Sequence, residues 1–420
     1  MNFDERSDER SNLAQRTAEE VARRSYGKLV AFIAARTRDV ASAEDALSEA
    51  FAAALKDWPK SGCPENPEAW LLTAARRKAI DSHRGQQRHE LATHEIRALN
   101  DGFEAAEKYS QIPDQRLALM FACAHPAIDA AVRAPLILQV VLGLDAKAIG
   151  SAFLVSPSAM GKRLVRAKEK IKIAGIPFAI PEREELPERL EVVLDAIYAA
   201  FAEGWTDPAG TDAARRDLTE ESLYLARLVT ILLPGVPESL GLLSLLLHAE
   251  ARRPARRTNE GEFVPLAEQD TRLWNSDMIE EAEALLLQAN KSHSAGRYQL
   301  EAALQSAHVH RVRTGTWNWP EIVQLYDALL AFTDSPVVAI NRALAIAEID
   351  GPDAGIKILD KLSGDERLGV YQPYWAARAE LLAKSGGHAE ARKAYEMAIG
   401  LERDAAVRRF LQNRQSLLNS

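Results

Sequence analysis

Residues 145–172 read DAKAIGSAFLVSPSAMGKRLVRAKEKIK, and the spacing within them predicts two short helices meeting at a turn. Asp145 is an N-cap for a helix over 146–153, with Leu144 before the cap and Ile149 at the fourth position as a hydrophobic staple. Leu154 and Val155 make the turn. Ser156 then caps a second helix with Pro157 at its first position, where proline's missing N–H is not needed, and this helix runs to about Lys172. Met160, Leu164, Ala167 and Ile171 fall at i, i+4, i+7 and i+11 and form one buried stripe. Lys162, Arg166 and Lys170 form a second stripe at i, i+4 and i+8, with Ser158 at its leading end and Arg163 beside it. Such a helix packs on its partner while turning a cationic face outward, the geometry of a helix-turn-helix in a DNA major groove. The plainer alternative is a helical hairpin with a solvated basic face.

Composition bounds what surrounds this stretch. A chain of 420 residues exceeds one compact core, so two or three domains are expected. A hydrophobic share of 47% and a charged share of 27% are those of a soluble globular protein. The net charge of −8 is unevenly divided: residues 1–176 carry 26 Lys and Arg against 23 Asp and Glu, while residues 177–420 carry 26 against 37. Nucleic acid is therefore expected to meet the front half, at +3, and not the rear, at −11. Cys63 and Cys123 are too few for a disulfide framework, which fits a reducing cytoplasm. The span Asn2 to Arg24 is dense in charge and holds no apolar run, which excludes a conventional signal peptide. Leu225 to Leu247, the most apolar region, is broken by Pro234, Pro237 and Glu238 and reads as two buried helices, not a membrane span.

Residues 1–16 read as a disordered, charged arm. A helix over about 17–36 follows, with Val21, Leu29, Phe32 and Ile33 inward. The next, about 42–57, starts with a Ser42 cap and has Glu44, Asp45 and Glu49 in its first turns, where carboxylates suit the helix dipole. After Trp58 and the loop Pro59 to Pro67, a helix from about Glu68 to Arg84 places Trp70 near its start and Arg76, Arg77, Lys78 and Arg84 in its second half. An aromatic beside such a cluster can stack on unpaired bases while the cations hold the backbone. Read alone, Trp70 is core. Residues 85–112 are polar and irregular and read as a linker, and a second helical domain starts near Pro113. His125, before Pro126, reads as a helix C-terminal residue and not a metal ligand, because no partner cluster lies nearby.

Gly175, Pro177, Pro181 and Pro187 form a hinge. No strand-type alternation is sustained beyond it, and helices are predicted at about 187–203, 217–233, 237–252, 276–293 and 298–313, so the fold class is all-α. Leu190, Val193, Leu194, Ile197 and Tyr198, just past the hinge, need a partner close by, and the helices just before it are the nearest. Near the end, Trp375, Ala379, Leu382, Gly386, Ala391, Tyr395 and Ala398 match the spacing of a tetratricopeptide helix pair. Ala339, Ala343, Ile346, Gly355, Leu359 and Leu362 echo it 36 residues earlier, and Ile322, Tyr326 and Leu329 continue the series 33 residues before that. Small residues where helices touch and large ones between them imply a stacked array with a groove for a protein or peptide. His308, His310, Glu301 and Glu321 make a poor metal site, since histidines two apart on a helix point away from each other. No catalytic residue, metal or cofactor is expected.

Taken in order, the segments resemble bacterial sigma factors of the extracytoplasmic-function class, in which region 2 binds polymerase core and opens the minus-10 element while region 4 reads minus 35. Ser42-Ala43-Glu44-Asp45-Ala46, Asn66 through Arg76, Ala152 through Val155 and Lys162 through Lys168 carry the resemblance. The rear half resembles the subgroup with a tetratricopeptide-like extension, through Ala251-Arg252-Arg253-Pro254-Ala255-Arg256, Glu268-Gln269-Asp270, Tyr298 through Ala303 and Ser335 through Ala343. It implies region 2 over 17–90, a linker over 91–112, region 4 over 113–176 and the extension over 177–420. Asp45 and Glu49 would then face core polymerase. Trp70, Arg76, Arg77, Lys78 and Arg84 would face the minus-10 strand, and Ser158, Lys162, Arg163, Arg166 and Lys170 the minus-35 duplex. The chain departs from the subgroup at Ala124, where a second cysteine is usual, at Ala202 and Trp205 around Glu203-Gly204, and at Pro135, which implies a late start or a kink in its helix. The competing reading is a helix-turn-helix regulator that binds duplex DNA without polymerase and senses a ligand through its helical array.

Overall fold

The computed structural model describes residues 3–37, 40–86, 114–174, 176, 180–205, 213–315 and 318–419. Regular structure among them is helical, and β pairing is confined to an isolated antiparallel bridge between Arg257 and Phe263. The described residues up to Leu232 form one compact unit, and those from Leu233 onward form a second.

In the first unit, α1 (Phe3–Thr37), α2 (Val40–Ser61) and α3 (Pro67–Gln86) pack on one another. Leu29, Val30, Ile33, Ala43, Leu47, Ala50, Trp58, Leu71 and Ala75 fill the space between them. The expected disordered arm over 1–16 is corrected here, since α1 begins at Phe3. Ala14 is fully buried, Ala18 nearly so, and the Gln15 amide donates to Glu19 one turn on. Docked alanines supply packing that a charge-dense composition conceals, and packing more than propensity stabilises a helix. Ser42 lies inside α2 and does not cap it, because the helix starts at Val40. The helix also continues through Pro59, which falls in its last turn, so the ring removes one terminal hydrogen bond. The linker over 91–112, with Gly175 and Pro177 of the hinge, lies outside the described residues.

Beyond the linker come α4 (Gln115–Cys123), α5 (Ala130–Val140), α6 (Ala146–Ala152) and α7 (Pro157–Ala174). Asp114 caps α4, accepting from the Arg116 and Leu117 amides at 2.7 and 3.2 Å, and Asp129 caps α5 through Ala131 at 3.0 Å. α5 starts at Ala130 and runs through the buried Pro135. Two helices from beyond the hinge complete this unit: α8 (Leu186–Trp205) packs on α4, α5 and α6, and α9 (Ala213–Leu232) packs on α8 and α4. Leu186, Leu190, Val193, Leu194 and Ile197 are all buried on α8, each contributing about 1.5–3 kcal/mol on burial. Arg189, also buried, donates from Nη1 to the Phe121 carbonyl at 3.2 Å and from Nη2 to Glu185 at 2.7 Å. Arg116 pairs with Glu221 and lies over the Tyr224 ring at 5.6 Å, which fastens α9 to the start of α4. α1 reaches α4 and α5 so closely that a Cβ at Gly27 would stand 1.4 Å from the Val141 carbonyl oxygen, a contact only glycine permits.

The second unit is a run of helices, α10 (Pro237–Ala251), α11 (Ser276–Asn290), α12 (Arg297–Thr314), α13 (Trp319–Thr333), α14 (Pro336–Asp350), α15 (Pro352–Leu362), α16 (Gln372–Lys384), α17 (His388–Leu401) and α18 (Ala405–Ser416). Glu238 of α10 accepts from the Tyr298 and Gln299 amides at 3.0 and 3.2 Å, placing a carboxylate at the N-terminus of α12 where the dipole favours it. From α12 onward each helix packs on the next. The repeat positions Ala343, Leu359, Ala379, Ala391, Tyr395 and Ala398 are buried at these contacts, while Gly386 makes the turn between α16 and α17 with φ +84°. The apolar stretch Leu225–Leu247 is split between α9 and α10, and among the described residues no helix is long and apolar enough to cross a membrane.

Candidate nucleic-acid interface

The basic helix α7 is built by two local devices. Asp145 Oδ1 accepts from the Lys147 and Ala148 amides at 3.0 and 2.7 Å and starts α6, and Ser156 Oγ accepts from Ala159 at 3.4 Å to start α7. Between them Phe153–Ser156 reverses the chain, with Leu154 at φ +53° and the Val155 amide donating back to the Gly150 carbonyl at 2.8 Å. This return passes so close that a Cβ on Gly150 would stand 2.6 Å from the Val155 carbonyl oxygen. Glycine at that position is thus a steric requirement of the turn. Leu144 and Ile149, the staple pair, are both buried.

On α7 the two stripes separate as their spacing dictates. Met160, Leu164 and Ala167 are buried and Ile171 half-buried, while Ser158, Lys162, Arg163, Arg166 and Lys170 are all exposed. Exposed cations on one rigid helix face are free to meet a polyanion. Lys168, on the flank of that face, is held differently: its Nζ meets Glu44 Oε2 of α2 at 2.5 Å, with both side chains mostly buried.

Glu44 borders the other predicted patch. Asp45 and Glu49 project from α2 and are exposed, and Glu49 pairs with Lys78 of α3 at 3.1 Å. The structure therefore brings one residue of the predicted acidic patch against one of the predicted cationic patch. Arg76 and Arg77 are exposed beside Lys78. Arg84 lies in the last turns of α3, and its side chain is outside the described ones. Trp70 is half-buried, edge-on to the buried Trp58 with ring centroids 5.5 Å apart, so part of it is core and part reaches solvent. Tyr26 sits beside this charge, and burial first, then the Glu44 carboxylate, push its hydroxyl up to about 12.

The Glu44–Lys168 and Glu49–Lys78 pairs are what sequence reasoning missed. Both join different helices, and periodicity along a single helix carries no signal for them. His125 and Cys123 are accounted for locally: His125 Nδ1 accepts from the Ala127 amide at 3.1 Å, burial and then Arg189 hold its imidazole below the usual range, and burial pushes the Cys123 thiol up. Among the described residues no group of three His, Cys, Asp or Glu side chains could hold a metal ion.

Comparison with known proteins adds sequence relationships to this geometry. The family profile described as Sigma-70 region 2 matches residues 21–89, and one described as a family of unknown function (DUF6596) matches residues 189–290. An uncharacterized protein of Rhizobium meliloti (strain 1021) is 38% identical over 380 residues, covering 89% of each chain. No solved structure matches.

Proposed function

The chain belongs to one family with the uncharacterized Rhizobium meliloti protein and carries a Sigma-70 region 2 over residues 21–89, and on that premise we propose an alternative sigma factor. In this reading it binds RNA polymerase core and directs initiation at a defined set of promoters. The observation that carries the proposal is the region 2 match over 21–89, which a free-standing DNA-binding regulator has no use for. Asp45 and Glu49, exposed on α2, are the polymerase-facing residues. Trp70, Arg76, Arg77, Lys78 and Arg84 on α3 are assigned to the minus-10 strand, where a half-exposed indole stacks on an unpaired base and cations hold the backbone. The α6–α7 pair acts as a helix-turn-helix, with Ser158, Lys162, Arg163, Arg166 and Lys170 on the minus-35 duplex. No chemistry is asked of these groups, and in this reading the protein is an initiation factor and not an enzyme.

The helical run from α12 to α18 is assigned as a tetratricopeptide-like array whose groove takes a protein or peptide. Helices α8 and α9 support region 4, since they bury its apolar faces. In vitro transcription with purified core polymerase tests the reading: the full chain should bind core and start transcripts at a defined promoter. Binding to duplex DNA without any association with core would replace it with the regulator reading.

A further inference from the structure

The last helix of the second unit, α18, is met by a segment from the front of that unit. Arg257 contacts Asp404 and Glu262 contacts Arg409, both across 147 positions, and Phe263 contacts Phe410 in the same register. A stacked helical array joins each repeat to its neighbours, so a contact between its front and its last helix is not part of the stacking. Residues 257–263 form a small hairpin: the Arg257–Phe263 bridge closes it, the Thr258 amide donates to the Glu262 carbonyl at 3.0 Å, and Gly261 turns the chain at φ +82°. Thr258 Oγ1 accepts from the Glu260 and Glu262 amides at 3.2 and 3.3 Å. The base is anchored, since Ala251 and Ala255 are buried against Trp274, Ile279 and Val309 with Leu266 packed on the same cluster, and the Val264 amide donates to the Arg256 carbonyl at 2.9 Å. Thr258, Asn259, Glu260 and Glu262, at the tip, are exposed. These backbone bonds are internal to the hairpin, so its tip can leave α18 without breaking them.

The contact itself is made by side chains. Glu262 Oε1 lies 2.9 Å from Arg409 Nη2 and 3.1 Å from Nε, with both side chains half-exposed. Phe263 stands edge-on to Phe410, ring centroids 5.4 Å apart and planes at 72°. Arg257 pairs with Asp404, which also caps α18 through the Ala406 and Val407 amides at 2.8 and 3.2 Å. Other cations of this helix serve the array: Arg414 pairs with Glu380 of α16, and Arg408 donates to the Glu402 carbonyl. The plainer reading is a fixed cover over the end of the array. A permanent cover would be apolar, however, whereas one ring pair rimmed by half-exposed charge is the make-up of a reversible recognition surface. Exposed ion pairs add little stability but fix register and exclude wrong partners.

We propose that α18 presents a docking face for a protein segment in which an acidic residue directly precedes an aromatic one, and that the chain's own Glu262-Phe263 hairpin occupies this face as a clasp. Arg409 takes the carboxylate and Phe410 the ring, and the partner binds by displacing the hairpin. This inference depends on neither the sigma-factor nor the tetratricopeptide-like reading.

Fluorescence anisotropy with a labelled synthetic peptide of residues 255–266, added to the full chain and to its E262A/F263A variant, tests it. The variant leaves the face vacant, and saturable binding at least tenfold tighter than to the unaltered chain is expected. A peptide carrying the same two alanines should bind the variant at least tenfold more weakly than the native peptide. No saturable binding to the variant, with its helical content intact by circular dichroism, overturns the proposal, as does equal affinity for the two proteins, which would put the peptide on another surface. Dimerisation of the variant, read by light scattering, would make a second copy the occupant and overturns the protein partner equally. Should the double variant not fold, E262A alone replaces it, because that half-exposed side chain fills no core. Peptide affinity should then exceed that of the unaltered chain several-fold, and equal affinity overturns the proposal.

Discussion

Helices α8 and α10 make an instructive pair. Both are apolar, both follow a proline-marked break, and both lie beyond the hinge that composition places near residue 177. Yet α8 buries Leu190, Val193, Leu194 and Ile197 on α4–α6 in the first unit, whereas α10 packs on α11 and α12 in the second. A hinge in the sequence marks where the chain turns, not which core the next helix joins. Partnership is decided by where apolar surface lies waiting, and α4 and α5, with Leu117, Phe121, Leu136, Ile137 and Leu138 buried, present more of it than they can cover alone.

That contrast breaks most visibly under truncation. Ending the chain after Gly175 removes α8 and α9 and should leave the first unit insoluble or without a cooperative thermal transition. Ending it after Leu232 keeps them and should give a folded protein. A shorter fragment that folds well and transcribes more strongly than the full chain would show that α8 inhibits and does not support. Next in size, Leu194→Ala, at a site 1% exposed, should cost about 2–5 kcal/mol, measured by urea denaturation, and should lower activity through stability alone. Arg166→Ala sharpens the comparison by leaving every core untouched. It should cost about 1–3 kcal/mol of promoter binding, and the loss should be promoter-selective if the guanidinium reads a base. Equal transcription from every promoter, with the fold intact, would move the DNA face elsewhere. The smallest effect on stability is expected for Asp45→Lys with Glu49→Lys, below about 1 kcal/mol, because both side chains are exposed. Pull-down of core polymerase should nevertheless fall, and an unaffected pull-down would place the polymerase contact on another surface.

The legible parts of the molecule were those governed by local spacing. The caps at Asp145 and Ser156, the buried stripe Met160-Leu164-Ala167 and the exposed stripe Lys162-Arg166-Lys170 follow from 3.6-residue periodicity and side-chain capping. The same applies to the extension, where α10 at Pro237–Ala251 answers a helix expected over 237–252. Tertiary choices were not legible. Whether residues 3–16 continue α1 depends on a docking site for Ala14, and a serine before acids has the pattern of a cap although the helix holding Ser42 starts at Val40. Pro59 similarly suggested a loop where the helix tolerates it in its last turn. The Glu44–Lys168 pair spans 124 positions, beyond any local pattern.

That pair also makes the two proposed faces thermodynamically accountable to each other. It ties the helix bearing Asp45 to the helix bearing Arg166 through a mostly buried bond. Any partner that draws α2 away from α7 must break it and leave two charges to be resolvated, a cost met once. A second partner needing the same separation then binds without that cost, so its affinity rises by the factor the first partner lost. Reciprocity requires the same factor in either order of arrival, which makes a single ion pair a source of positive cooperativity between the two faces.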